Sequence, residues 1–159
     1  MIRTRRTRYS GRTRGDQGQV AGIEALPFGV LIFVVGALLI TNLWAVVDTK
    51  VAVDTAAREA VRTYVEAPDE QVGRLRADAA AREVMEGYGR HPERLALAVA
   101  HEGDQPYGRC LRVTVTTRYP VPALRLPWIG GLGHLFDVHG RHTERVDPFR
   151  AGLNGSGLC

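Results

Sequence analysis

An uncharged run of 23 residues, covering positions 25–47, constrains this chain more than any other feature of its sequence. A helix of that length spans roughly 35 Å at about 1.5 Å per residue, enough to cross the hydrocarbon core of a bilayer. A cleaved secretory signal is the alternative, but its apolar stretch is only about 7–15 residues long. Here the run ends in Asn42, Trp44 and Asp48, and tryptophan favours the membrane–water interface. The sequence therefore predicts a transmembrane helix over residues 23–47.

Charge is distributed unevenly about this helix. Six arginines precede it, against Asp16 and Glu24, whereas residues 48–159 contain 15 Lys or Arg and 15 Asp or Glu. By the positive-inside rule, the basic leader (1–22) lies in the cytoplasm, and the following residues lie outside the cytoplasmic membrane. A basic run can bind nucleic acid, but beside a membrane span it sets topology and contacts anionic lipid instead. The expected partner is therefore membrane lipid and not nucleic acid.

The extracytoplasmic part is long enough for one small domain, the head (48–148), followed by a tail (149–159) expected to be flexible. Helical spacing continues past the membrane, so we expect one long amphipathic helix that Pro68 ends. A second helix is predicted over residues 69–86. The apolar stripes of these helices are Val53, Ala57, Ala60, Val61 and Tyr64 on the first, and Ala77, Ala80, Ala81, Val84 and Tyr88 on the second.

Period-2 alternation then predicts a small antiparallel sheet of about three strands, and hence an α+β fold. The strands are expected around Leu95–Val99, around Leu111–Val115 and over residues 136–146. The apolar segment 120–135 contains three prolines and three glycines, so we expect neither helix nor strand there. Three apolar residues of this segment are Trp128, Ile129 and Leu132. We expect them either to cover the sheet as part of the hydrophobic core or to form an exposed surface that contacts a partner.

The histidines near the C-terminus are of a type that binds zinc, and Asp137 lies among them. Their spacing matches no strong metal motif, and on a strand His139 and His142 point to opposite faces. The two serines of the chain lie in the leader and in the tail, which argues against a serine hydrolase. The sequence therefore predicts a protein that is not an enzyme and that holds neither a metal nor a cofactor.

Two cysteines, Cys110 and Cys159, lie in the part expected outside the cytoplasm, where disulfides persist. A bridge between them is sterically possible, because the tail is long enough to return to Cys110. The alternative is a free or intermolecular thiol at Cys159.

Glu24 stands at the cytoplasmic edge of the predicted span. An acid at the membrane edge costs free energy unless it is paired, so an ionisable residue in this position indicates function. The alternative is an acid at headgroup level in the first helical turn, where the helix dipole and water both favour it.

Four segments of the chain carry a resemblance to a known class of proteins: GQVAGIEALPFGVLIFVV at 18–35, AVDTAAREAVRTYVEA at 52–67, RCLRVTVTTRYPVP at 109–122 and FDVHGRHTERVDP at 136–148. Through these segments the chain resembles the type IV prepilin class and, within it, the TadE-like pseudopilins of tight-adherence (Flp) pilus systems, which implies a pilin-like α+β fold. The similarity extends from residue 15 to about residue 148.

This resemblance implies a non-enzymatic component of a pilus or secretion assembly. Its implied partners are a prepilin peptidase, the major Flp pilin and a membrane platform with a cytoplasmic ATPase. In that class, the peptidase cleaves after a small residue, usually Gly, and an acid at the fifth mature position pairs with the N-terminal amine of a neighbouring subunit. Here cleavage after Gln19 makes Glu24 the fifth residue, and cleavage after Gly18 makes it the sixth. An uncleaved single-pass anchor displaying an extracytoplasmic binding or regulatory domain is therefore the alternative.

Overall fold

The computed structural model describes residues 17–126, 130–155 and 159. Within these ranges the side chains are described except at positions 17–25, 104, 123–126, 130–132, 134 and 135. The chain divides into two compact units, Met1–Leu39 and Ile40–Cys159.

Two helices and three strands follow one another along the chain. They are α1 (Gln17–Val65), α2 (Glu70–Gly87), β1 (Ala96–His101), β2 (Arg112–Leu126) and β3 (Gly130–Arg145). Short 3-10 turns stand at Pro92–Arg94 and Glu102–Asp104. The strands form one antiparallel sheet in the order β1-β2-β3. The predicted α+β layout of a long apolar N-terminal helix, a second helix and three antiparallel strands is therefore confirmed.

Helix α1 contains the uncharged run, and its large apolar side chains there are exposed. Phe28, Phe33 and Trp44 are each more than 65% exposed. The most apolar window of this helix has a mean hydropathy of 2.6 and none of it is buried. Because soluble proteins bury most such side chains, a surface of this kind is typical of a helix covered by lipid or by other helices. By length and composition, α1 is able to span a membrane.

In the second unit, one stripe of α1 forms the centre of the hydrophobic core. The predicted stripe residues are all buried, together with Ala52 and Ala56. Because most of these side chains are small, the sheet approaches the helix backbone closely. Thr117 Oγ1 donates a hydrogen bond to the Val53 carbonyl at 3.0 Å, and Gly140 lies against the same carbonyl.

Helix α2 packs on the same core through small residues. The Asp69 side chain caps its first turn by accepting a hydrogen bond from Val72 N at 2.8 Å. Gly73 lies against the Tyr64 ring, so closely that a Cβ there would meet ring carbons at 3.2 Å. The buried residues of this helix are Gly73, Ala77, Ala81 and Met85. Tyr88, which was predicted on the apolar face, lies beyond the helix end and is exposed.

Strand β2 is the central strand, and its inward residues alternate with polar outward residues. Val113, Val115 and Thr117 are fully buried against α1. On β1, Leu97 and Val99 are half-buried while the alanines between them are exposed. One face of the sheet therefore packs on the helices. No described residue covers its other face.

The expectation that residues 120–135 form neither helix nor strand is wrong. Strand β2 continues to Leu126 and pairs with β3 from Gly130 onward, with a register shift between Val121 and Pro122. Pairing with β1 ends at Arg118, so β2 is an edge strand beyond that residue. A proline is tolerated at an edge because its missing N–H removes no bond to a neighbouring strand.

This change also affects single residues of the segment. Phe136 lies next to the register shift and is 41% exposed, whereas Val138 in the same strand is buried. Leu132 lies in β3 opposite Leu124. Trp128 and Ile129 lie outside the described residues.

The tail, which was expected to be flexible, packs against the head over residues 150–155. The Asn154 carbonyl accepts a hydrogen bond from Arg109 N at 2.8 Å, and Leu153 packs against the hydrophobic core. This segment is held by contacts with residues more than 40 positions earlier in the chain. The glycine-rich composition of the tail does not indicate such contacts.

Candidate functional site

The residues predicted to direct processing and assembly lie near the start of α1. Gly18, Gln19 and Glu24 have helical backbone. Their side chains lie outside the described set, so the pairing of Glu24 stays a prediction.

The first charged residues after the uncharged run fasten α1 to the head. Arg90, which follows α2, bonds to the Asp48 carboxylate and donates to the Ala45 carbonyl at 3.5 Å. The Arg90 side chain is only 9% exposed, whereas that of Asp48 is 45% exposed. Lys50 Nζ donates to Asp54 at 2.7 Å and to the carbonyl of a β3 residue, His139, at 2.5 Å. The head is therefore held to α1 directly where the apolar run ends.

Two side chains from distant parts of the sequence bind the C-terminal end of α1. Tyr107 Oη donates to the Tyr64 carbonyl at 3.1 Å and to the Ala67 carbonyl at 2.7 Å. Arg150 donates to the Val65 carbonyl at 2.5 Å and also to the carbonyl of the next residue. The last carbonyls of a helix have no partner within it, and a cation is favoured at its negative end. No local sequence pattern indicates either contact, and the sequence analysis missed both residues.

The phenol of Tyr64 is the most strongly perturbed ionisable group described. Burial, with a smaller contribution from Glu70, raises the pKa of Tyr64 to about 12. Its hydroxyl lies 2.7 Å from His101 Nε2, and its ring meets that of Tyr107 edge to face at 5.6 Å. Burial also raises the pKa of Tyr107. Both phenols are therefore neutral groups that bind the helix end and the sheet to each other.

A disulfide joins Cys110 to Cys159, with the two Cα atoms 5.4 Å apart. Cys110 has a φ of 66°, which lies in the left-handed region that residues other than glycine rarely adopt. Its backbone N–H donates to the Val146 carbonyl at 3.1 Å. The disulfide thus connects the tail to the turn that leads into β2.

The uncovered outer face of the sheet is polar and basic. Thr114 and Thr143 hydrogen-bond across β2 and β3 at 2.9 Å. Arg118 forms an ion pair with Asp137, and this hydrogen bond raises the pKa of the guanidinium. The arginines that β2 and β3 contribute to this face are Arg112, Arg118, Arg141 and Arg145. No described carboxylate lies within salt-bridge distance of Arg141 or Arg145, so this face is suited to contact with anionic groups.

The histidines near the C-terminus are spread over the sheet. His139 is exposed, whereas His142 is half-buried with its Nε2 3.7 Å from the Glu144 carboxylate. The side chain of His134 lies outside the described set. Among the side chains described, no three His, Cys, Asp or Glu residues form a group able to hold a metal ion.

The described residues thus offer two surfaces for contact with other molecules: the exposed apolar face of α1 and the basic outer face of the sheet. No protein-family model, curated protein or solved structure matches this chain. Inferences about function therefore depend on its own residues and on the arrangement described above.

Proposed function

We propose that this chain is a TadE-like minor pilin or pseudopilin, a non-enzymatic component of a Flp/Tad-type pilus or secretion assembly. The observation that carries the proposal is the continuity of α1. One helix is apolar and exposed in its first part and forms the core of a small α+β head in its last part. A subunit built in this way uses the same helix for membrane insertion and for carrying the head.

In this proposal the helix inserts in the cytoplasmic membrane, with the N-terminus in the cytoplasm and the head outside. Six arginines before the span support that orientation, because cytoplasmic flanks carry the excess of positive charge. The disulfide between Cys110 and Cys159 supports it independently, because disulfides persist in oxidising compartments and are rare in the cytosol. The proposed partners are membrane lipid, the major pilin, the platform proteins with their ATPase, and a prepilin peptidase.

The experiment that tests this function is substitution of Glu24. If its carboxylate pairs with a neighbour's amine at the membrane edge, Glu24→Gln leaves that amine unmatched at a cost of about 3–5 kcal/mol. Assembly is then lost while membrane insertion is kept, and Glu24→Asp gives an intermediate result. Asp16→Asn removes an acid from the leader and serves as the matched control. The measurements are co-purification with pilus proteins and abundance in the membrane fraction, and normal assembly of Glu24→Gln would contradict the proposal.

The second candidate function is the uncleaved, single-pass anchor with an extracytoplasmic binding or regulatory domain. The observation that favours it is the five-residue offset, which places Gln19 and not glycine before the expected cleavage point. N-terminal sequencing of the membrane-extracted protein separates the two candidates. A mature terminus at Gln19 or Val20 supports the pseudopilin, whereas recovery of Met1 or Ile2 supports the anchor.

A further inference from the structure

Strand β2 runs antiparallel to the head portion of α1, and three contacts show how they align. His101, paired with Val113, bonds to the Tyr64 hydroxyl. Thr117 bonds to the Val53 carbonyl. The carbonyl of His139, the partner of Arg118 across the sheet, binds Lys50. From Val113 to Arg118 the strand advances about 17 Å while α1 passes about 21 Å from Tyr64 to Lys50, so α1 runs mainly along the strands and crosses the sheet obliquely from β1 towards β3.

The hairpin of β2 and β3 continues in this direction past Lys50. From Arg118 to Leu126 the strand extends eight further residues, or about 26 Å. The helix needs only about 15 Å to pass from Lys50 to Ile40, where this unit begins. The hairpin therefore extends on the side of the head at which the exposed apolar part of α1, residues 40–47, is located. The segments 120–126 and 130–136 are called the hairpin end below.

The composition of the hairpin end fits a lipid environment. Arg125 is its single residue of fixed charge, and His134 is its other titratable residue. Arginine is tolerated near lipid phosphates, because its long apolar stem lets the guanidinium reach the headgroups. Pro120 and Pro122 carry no backbone N–H, which lowers the number of donors left unpaired at the open edge of β2.

We propose that the hairpin end enters the outer leaflet of the bilayer that α1 crosses and is a second membrane contact of the head. This inference rests on the proposed insertion of α1. Along α1 the hairpin reaches the level of residues 40–47, the part of the uncharged run that belongs to the same unit as the head. The open strand edges limit the insertion to the headgroup and interfacial region of that leaflet, because unpaired backbone groups are costly in the hydrocarbon.

The test uses the full chain in vesicles of phosphatidylethanolamine and phosphatidylglycerol. Both native cysteines are joined in the disulfide, so a single introduced cysteine is labelled selectively with an environment-sensitive fluorophore. The labelled positions are Leu124 and Leu132, which face each other across the hairpin end. Ala98 and Thr143, exposed on the outer face of the sheet, are the matched controls, and Leu39 in the apolar run reports insertion of α1. Each label is measured for quenching by brominated lipid and by a water-soluble quencher.

We expect the labels at Leu124 and Leu132 to be quenched by brominated lipid and shielded from the aqueous quencher, as at Leu39, while Ala98 and Thr143 show the reverse. Labels at the hairpin end that behave as at Thr143 would overturn the inference. Shielding from water without quenching by lipid would overturn it too, because protein would then cover the hairpin. A Leu39 label without lipid quenching would refute both this inference and the membrane insertion. Loss of pilus partners with intact lipid contact would refute only the proposed function.

Discussion

Gly140 is the position at which the sheet lies closest to α1, and replacing it tests how the head is packed. A Cβ at this site would lie 2.5 Å from the Val53 carbonyl oxygen and 2.7 Å from Thr117 Oγ1. Ordinary contact begins near 3.4 Å, so in Gly140→Ala the helix and the sheet must separate by about 1 Å. Two of the three nearest atoms belong to the Val53 backbone and cannot rotate away. The third, Thr117 Oγ1, is a short side-chain atom that hydrogen-bonds to the same carbonyl.

The cost of Gly140→Ala follows from two effects. Forcing an extra methyl into a close-packed core costs about 1–3 kcal/mol. The separation also breaks the hydrogen bond from Thr117 to Val53, and a fully buried hydroxyl without this partner costs about 1–3 kcal/mol more. The two effects share one movement, so we expect a total of about 3–5 kcal/mol. That is a large fraction of the 5–15 kcal/mol by which a typical domain is stable.

The measurement is urea unfolding of the detergent-solubilised chain, with the disulfide intact, followed by circular dichroism. Gly87→Ala is the matched control, because no atom lies within 4 Å of a Cβ there and the residue ends α2. It should be neutral or stabilising by up to about 1 kcal/mol. If the free energy of unfolding of Gly140→Ala lies within about 0.5 kcal/mol of the wild-type value, the helix and the sheet are not in rigid contact and the prediction is wrong.

Two further predictions concern charge. Asp48→Asn leaves the nearly buried guanidinium of Arg90 without its counter-charge and should lower the free energy of unfolding by about 2–3 kcal/mol. Arg90→Met leaves a half-exposed carboxylate that water solvates and should lower it by only about 1 kcal/mol. Equal losses for the two variants in urea unfolding would contradict this prediction. The raised pKa of Tyr64 means that folding favours the neutral phenol, so its contribution is fully present below pH 10 and is lost as the pH rises towards 12. The free energy of unfolding should fall by roughly 2 kcal/mol over that range, and Tyr64→Phe should remove this part of the slope; an unchanged slope would show that another group causes it.

The elements that the sequence predicts well are those whose signal is local and periodic. The stripe from Val53 to Tyr64 repeats at helical spacing and is buried as expected. The Asp69 cap and Gly87 mark the ends of α2 to within one residue. Alternation from Leu111 to Val115 identifies the central strand, because one face of it lies on the core and the other does not.

The features that the sequence does not predict depend on residues far apart in the chain. Whether Pro120 disrupts a strand depends on where β1 stops pairing, and nothing near Pro120 reports that boundary. The contacts from Arg90 to Asp48 and from Arg150 to Val65 span 42 and 85 residues. Arg90 lies just after α2 and Arg150 lies in the tail, and no local pattern indicates that either side chain will bond to α1. The sequence therefore predicts the apolar surface of α1, whose signal is a continuous run of residues. It does not predict the contacts of Arg90 and Asp48 that hold α1 to the head.

The contacts at the C-terminal end of α1 have a consequence for the order in which the chain acquires its structure. The carbonyls of this helix end receive their partners from Tyr107 and Arg150, which are synthesised some 40 and 85 residues later. Until those residues arrive, the alanine-rich stripe of α1 has no sheet to cover it and its last turn is held by the helix alone. Most of the stability of a helix in a folded protein comes from the packing of its amphipathic face, and contacts between distant residues form slowly. A nascent chain of this protein therefore passes through a period in which the apolar stripe of α1 is uncovered and is available for a chaperone to bind.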